Sequence, residues 1–333
     1  MILNTEIIKN LKELDNNVIY KNKLYSYDKD TNIVIETTLD EDFGEIKFGI
    51  DLNTLKLLKS IKDPDVSFDS ISNQLIVKFG KNQKYKTKTL DTAIPSLLSD
   101  NEIYETVIVN RKVIEIACKF TSQVISKPVL TGIAIDNFGD IYATNSFKAY
   151  HYVNPNNNEN PQNRKPAIIV PVNFFATLDS KQEIIELNYT DKFIFTIQGA
   201  SKITSRLLSG LYPTQVFGNI EKINQNPTII RTNCQEMINN INLAKNVGYG
   251  AKNGYIRVVF DKGNLKAEGF NEFECDFEDG TDDDYNFAMN LDIAKELFVY
   301  SSNGTESEFI YQASLQPLII KKENETFVFT PVR

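Results

Sequence analysis

Three times along this chain of 333 residues a strand ends on Asp, Pro or Asn, a short amphipathic helix follows, and two alternating strands come next. The helix starts, Asp51, Pro171 and Asn290, lie about 120 residues apart, which specifies repeated domain-sized units instead of a short-period solenoid. Asp and Asn accept hydrogen bonds from the free N–H groups of a first helical turn. Pro fits there because its missing N–H has no partner to lose, so the three starts are physically equivalent. In the first repeat Ile46–Ile50 leads to a helix through about Lys62, then strands near Val66–Phe68 and Gln74–Phe79. In the second, Ala167–Val170 leads to a helix ending near Leu178, then Glu183–Asn188 and Lys192–Ile197. In the third, Tyr285–Met289 leads to a helix ending near Tyr300, then Glu308–Ala313 and Pro317–Lys322.

Each repeat also carries an earlier helix, over about Thr5–Asp15, Arg111–Ile125 and Cys234–Asn246. Asn4, Asn110 and Asn233 are the candidate caps, and Glu236 stands at capping-box spacing after Asn233. Two helices and about eight strands per unit give an α+β class. The domains divide at 1–96, 97–216 and 217–333, with linkers within Asp91–Glu102 and Pro213–Pro227. The Asn-rich run Asn154–Pro161 reads as a surface loop inside the second repeat.

Abundant Val, Ile, Thr, Tyr and Phe fit a strand-rich globular chain. No basic leader with an apolar run and no stretch of eighteen apolar residues occurs, so a soluble cytoplasmic protein without a membrane partner is expected. Cys118, Cys234 and Cys275 are odd in number and far apart, which suggests buried free thiols, not a disulfide framework or zinc site. His151 is the only histidine, so a catalytic triad or multi-His metal site has little to build on; in the strand-like Lys148–Tyr152 it reads as structural. Phosphate-binding Gly-rich motifs are absent.

The net charge of −8 speaks against a protein that holds nucleic acid by affinity, but not against one retained by encircling it. Lys56, Lys59 and Lys62 recur every three residues beside an apolar stripe of Leu52, Leu55, Leu58 and Ile61. Lys112 and Lys119 share a helical face, and Lys9, Lys12 and Lys245 complete the set. An ordinary solvated face explains any one helix; repetition in all three units favours a common basic surface. The acidic run Glu278–Asp284 lacks the ligand spacing of a calcium loop and reads as a solvated hairpin.

Four segments in order carry a family resemblance. Lys127-Pro128-Val129-Leu130-Thr131-Gly132-Ile133 resembles R-P-V-L-T-G-I/V, and Ala143–Ala149 stands where A-T-D-G-H-R-L is usual. Ser205–Pro213 resembles the start of S-R-L-I/L-x-G-x-F-P-D-Y, and Pro317–Ile320 with Phe329–Arg333 resembles a closing P-x-x-I-R/K and L/M-P-V/M-R. Together these resemble the β subunit of bacterial DNA polymerase III, the sliding clamp. The match is strongest from about Glu102 onward; the first repeat is shorter than usual. The Asn-, Ile- and Lys-rich composition with that short repeat fits a phage or mobile-element version.

The resemblance implies a DNA clamp fold of three similar, ring-forming domains and a non-catalytic processivity factor without a cofactor. Its partners would be encircled double-stranded DNA, the replicative DNA polymerase, an ATP-dependent clamp loader and a second copy in a head-to-tail homodimer. It implies a partner-peptide pocket walled by Thr144, Ala149, Pro213, Val216, Phe217, Val328, Phe329, Thr330, Pro331 and Val332. The DNA-facing set would be Lys9, Lys12, Lys56, Lys59, Lys112, Lys119, Lys127 and Lys245, and Tyr85, in the Gln83–Thr89 strand, would meet the partner's third domain near Leu243. Phe147, Lys148 and Ala149 replace H-R-L, and Thr214 and Gln215 replace D-Y, which implies a different peptide preference. Two rivals stand beside this reading: a clamp-fold peptide-binding adaptor or decoy that is never loaded on DNA, and a metal-dependent hydrolase using Asp282, Asp283 and Asp284.

Overall fold

The computed structural model describes residues 2, 3, 8, 12–62, 64–81, 83–90, 93, 94, 104–124, 126–156, 167–214, 217, 227–247, 256–268 and 272–333. The chain groups into two compact units, residues 1–112 with 170–209 and residues 113–169 with 210–333.

The first unit contains an antiparallel sheet of eight strands in the order Lys47–Asp51, Asn16–Tyr20, Lys23–Asp28, Ile33–Thr38, Ser201–Arg206, Phe193–Gln198, Ile184–Tyr189 and Glu105–Asn110. A second sheet runs Ile2–Leu3, Asp65–Asp69, Gln74–Phe79 and Gln83–Lys88. Strands of the first repeat alternate, so Ile19, Leu24, Phe48, Val66, Leu75 and Val77 meet in one core, where Phe48 stacks on Phe68 at 4.7 Å. Helix α1 (Leu52–Ser60) adds Leu55 and Leu58 to this core. Asp51 starts it by accepting from Thr54 N at 2.8 Å, as a local cap predicts.

The second unit contains a sheet in the order Ile168–Pro171, Gly132–Ile135, Ile141–Thr144, Lys148–Tyr152, Glu325–Phe329, Leu318–Lys321, Glu306–Tyr311 and Thr228–Asn233. Its other sheet runs Phe273–Asp276, Asn264–Glu268, Arg257–Asp261 and Asn286–Asn290. Aromatic rings dominate the packing: Phe260 stacks on Phe287 at 4.9 Å, and Phe120 lies within 6 Å of Tyr150, Tyr300, Phe327 and Phe329.

Each large sheet joins two repeats. Ile33–Thr38 of the first pairs with Ser201–Arg206 of the second, and Lys148–Tyr152 of the second pairs with Glu325–Phe329 of the third. This sharing is why a chain that repeats three times groups into two units.

Among the described residues the other α-helices are α2 (Arg111–Lys119), α3 (Val172–Ala176), α4 (Cys234–Val247) and α5 (Leu291–Ser301). Asn290 caps α5 by accepting from Asp292 N and Ile293 N; Asn233 accepts from Glu236 N and Asn110 from Lys112 N. The expected Thr5–Asp15 helix lies mostly outside the described residues. Two expectations change. The helix expected over Arg111–Ile125 stops at Lys119, because Phe120 N and Thr121 Oγ1 close the last turn and Ser122 N turns away to Leu130 O. The acidic run is not a hairpin: it crosses between Phe273–Asp276 and Asn286–Asn290, on opposite edges of the four-stranded sheet. On the way Gly280 N donates to Arg231 O and Thr281 Oγ1 accepts from Arg231 N, pinning the run to a neighbouring strand.

Burial raises the Tyr300 hydroxyl to about 12 and also raises that of Tyr150, which donates to Glu325 at 2.6 Å. Both shifts favour the protonated folded state, so their stabilisation is full below the ordinary tyrosine range near 10 and is lost as pH rises toward 12. Thermal unfolding of the second unit should therefore move to lower temperature between pH 9.5 and 11.5, and an unchanged midpoint would contradict the shifts.

Candidate partner-binding surface and basic helices

Three segments of the second unit meet around the turn Thr144–Lys148. Ser146 occupies a left-handed backbone region at φ +81°. The strain is offset locally: Asn145 Oδ1 accepts from Phe147 N and Lys148 N, both at 2.9 Å, and Thr144 Oγ1 donates to Lys148 O. From the linker side, Tyr212 Oη accepts from Thr144 N at 2.9 Å. From the C-terminal side, Thr330 N donates to Phe147 O at 2.8 Å, and Val332 N donates to Ala288 O at 2.7 Å. The tail is thereby held at both ends.

Gly210 sets the linker's entry. Its φ is +138°, and a Cβ there would lie 2.6 Å from Val129 Cγ1. Gly210→Ala should destabilise the second unit by about 1–3 kcal/mol, read by denaturant titration; Gly199→Ala, with open space around it at φ +58°, should cost less.

These constraints divide the expected pocket residues into a floor and a surface. Thr144, Ala149, Phe217, Val328, Phe329 and Pro331 are buried, whereas Pro213, Thr330 and Val332 are half-buried. Phe329 is fully buried within the Phe120 ring cluster, so it supports the surface from below and does not wall it. Val216 lies outside the described residues. Two apolar side chains outside the expected wall are exposed nearby in sequence, Phe147, a departure from the family pattern, at 55% and Leu211 at 95%. Lys148, beside them in sequence, turns inward to pair with Glu296 and places its ammonium 5.0 Å from the centre of the Phe120 ring. His151 stacks on Tyr142 at 4.4 Å and packs against Phe217, in keeping with a structural role.

The chain has the sliding-clamp fold. It superimposes on the DNA polymerase III subunit beta of Borrelia burgdorferi, solved with a natural product, with a TM-score of 0.76 at 16% identity, covering 100% of this chain and 98% of that one. The beta chain from Streptococcus pneumoniae gives 0.75 at 16% identity over 99% and 93% of the two chains. The putative beta subunit from Eubacterium rectale gives 0.75 at 15% over 97% and 92%. No family model and no curated protein sequence matches the chain.

On this clamp fold the described lysines of the basic set, Lys12, Lys56, Lys59, Lys112, Lys119, Lys127 and Lys245, are all exposed. Lys59 lies 3.7 Å from Glu13 and Lys245 2.8 Å from Asp292, so two of them carry surface ion pairs worth little in water. Lys9 lies outside the described residues. In α2, Lys112 and Lys119 face solvent while Val113, Ile114 and Ala117 are buried. Tyr85 and Leu243 are exposed, and α4, which carries Leu243, packs beside the Phe273–Asp276 strand.

Asp282, Asp283 and Asp284 are exposed, and two of them turn to separate partners: Asp283 accepts from Thr228, and Asp284 lies 3.4 Å from Lys262. Among the described residues the one group of three carboxylates close enough to share an ion is Asp15, Asp28 and Asp30, and Asp28 already accepts from Asp30 N and Thr31 N. Among the described residues no helix is long and apolar enough to cross a membrane.

Proposed function

We propose that this chain is a DNA sliding clamp, a processivity factor that encircles duplex DNA and tethers the replicative polymerase and other partners. The observation that carries the reading is the clamp fold over the whole chain, and the three-fold repeat of the sequence supports it. In this reading the repeats are three clamp domains, 1–96, 97–216 and 217–333. Two chains close head to tail into a ring through Tyr85 of one and the third-domain surface around Leu243 of the other. The exposed lysines of the inner helices meet phosphates without reading bases. Retention comes from topology, so a net charge of −8 is compatible with function.

Partners dock on the surface formed by Phe147, Leu211, Pro213, Thr330 and Val332. Apolar groups on a hydrogen-bonded frame suit a short peptide with hydrophobic anchors, because a preformed site loses little conformational entropy on binding. The protein acts as a non-catalytic cytoplasmic subunit and relies on a separate ATP-dependent loader.

The test is retention on circular DNA. Loaded onto a nicked plasmid by its cognate loader with ATP, the protein should co-elute with the DNA at high salt and be released when a restriction enzyme linearises it. Retention that survives linearisation, or a chain that never remains on the circle, overturns the reading; the second result favours the clamp-fold adaptor.

A further inference from the structure

The two joints between repeats share a register but not a filling. Ser201 pairs with Thr37 as Glu325 pairs with Tyr152, so Ile203 on Ile35 in the first joint corresponds to Phe327 on Tyr150 in the second. In the second joint Phe120 and Tyr300 close over that pair, their rings 5.7 and 4.9 Å from Phe327. Helix α5, eleven residues long, carries Tyr300 into place, whereas α3 ends after five residues at Ala176. Counted from the helix starts Asn290 and Pro171, Lys181 holds the place of Tyr300, and Thr177 that of Glu296. With isoleucines for rings and a short helix, the first joint keeps a groove of about 640 Å³ lined by Ile35, Leu178 and Ile203 and rimmed by Lys12, Asp179 and Lys181.

We propose that this groove is a ligand site for a small carboxylate with an aliphatic body, such as an acylated aliphatic amino acid, its chain on the two isoleucines and its carboxylate at Lys12 and Lys181. The inference needs the fold alone and stands whether or not two chains close a ring. The groove is not a copy of the partner surface. It gathers at the Ser201–Thr37 end of its joint strands, whereas the partner surface gathers at the Phe329–Lys148 end of its own.

Ile35, Leu178 and Ile203 make a buried apolar floor. The polar rim above it is fixed in place. Asp179 N donates to Gln198 Oε1 at 2.9 Å, Gln198 Nε2 donates to Gln182 Oε1 at 2.5 Å, and the buried Arg111 guanidinium donates to the carbonyls of Asp179 and Gln182. A frame already bonded to itself loses little entropy when a ligand arrives. The volume falls within the roughly 300–1,000 Å³ of small-molecule sites.

Charge selects the ligand. Lys12 and Lys181 are exposed on the rim, and among the described residues neither has an ion-pair partner. Set against the carboxylate of Asp179, two ammonium groups leave one positive charge, which suits a monoanion better than a phosphate dianion. The phosphates of a DNA duplex would meet Lys12 but carry no aliphatic body, so the floor would stay in contact with water. An uncharged hydrocarbon would cover the floor and gain nothing from the rim. A carboxylate joined to a branched aliphatic chain satisfies both.

The test is a titration of the full chain, labelled at its Ile and Leu methyl groups, with N-acetyl-leucine, followed by NMR. The methyl signals of Ile35, Leu178 and Ile203 should shift and saturate with a dissociation constant on the order of 1 mM, the range open to so small a ligand. N-acetyl-leucinamide, which lacks the charge, should bind about tenfold more weakly, and Lys181→Gln should weaken N-acetyl-leucine by a similar factor. Ile203→Phe, which places in the first joint the ring the second joint has, should abolish binding and leave the denaturation midpoint unchanged, because the ring enters open space. Floor methyls that do not saturate overturn the site, as do shifts that persist undiminished in Ile203→Phe. Equal binding of acid and amide overturns the carboxylate. A short DNA duplex that shifts the three floor methyls by itself assigns the groove to DNA and overturns the ligand class.

Discussion

Phe329→Ala should destabilise the second unit by about 3–5 kcal/mol, the range for truncating a fully buried Phe that leaves a cavity. The residue is 0% exposed, and its ring lies 5.9 Å from Phe120 and 6.4 Å from Tyr300. Its backbone is paired opposite Lys148, so the cavity would open directly beneath the turn that presents Phe147. Partner binding should fall as well, but as a consequence of the softened floor. Phe329→Leu, which keeps most of the volume, separates the two effects: it should recover most of the stability and the binding together. Chemical denaturation of the two variants checks the order. A Phe329→Ala protein of unchanged stability that has lost its partners would return Phe329 to the wall of the site.

Why Phe329 was expected on that wall is a matter of pattern. A strand with one buried face alternates, and alternation tells inside from outside. Phe327-Val328-Phe329 does not alternate, and all three are buried, as in a strand covered on both faces. Such a run carries no face information, so its assignment came from position within a motif instead of physics. Helix starts were legible for the opposite reason: Asp51 and Asn290 act within three residues of themselves, and both caps form. The end of α2 was not legible, because what stops it is the bond from Ser122 N to Leu130 O, made by a segment that folds back from beyond the helix.

The same distinction runs through the candidate site. The turn at Thr144–Lys148 is local, and Asn145 with Ser146 is a readable turn signal. The bond that fixes it, from Thr144 N to Tyr212 Oη, joins residues far apart in sequence. Tyr212 sits inside a matched motif, yet nothing in its neighbours says where its hydroxyl points. The lysines were readable as helical faces; which of them are tied up in ion pairs, Lys59 with Glu13 and Lys245 with Asp292, needed the fold.

Lys148 and Glu296 give the second large effect, and an asymmetric one. The Lys148 side chain is 8% exposed, and its Glu296 partner 38%. Removing the acid leaves an ammonium that cannot reach water and keeps only the Phe120 ring for compensation; removing the lysine leaves a carboxylate that can rehydrate. Glu296→Gln should therefore cost about 2–4 kcal/mol and Lys148→Met about 1 kcal/mol, while the double variant should fall close to Lys148→Met, since no stranded charge remains. A double-mutant cycle by denaturant titration measures the coupling. It should change little between low and high salt, because the lysine end of the pair is buried and poorly screened, in contrast to an exposed pair such as Lys245 with Asp292. Equal costs for the two single variants would mean that Lys148 reaches solvent after all. The turn would then be held by its hydrogen bonds alone, and Phe147 would lose the buried anchor beside it.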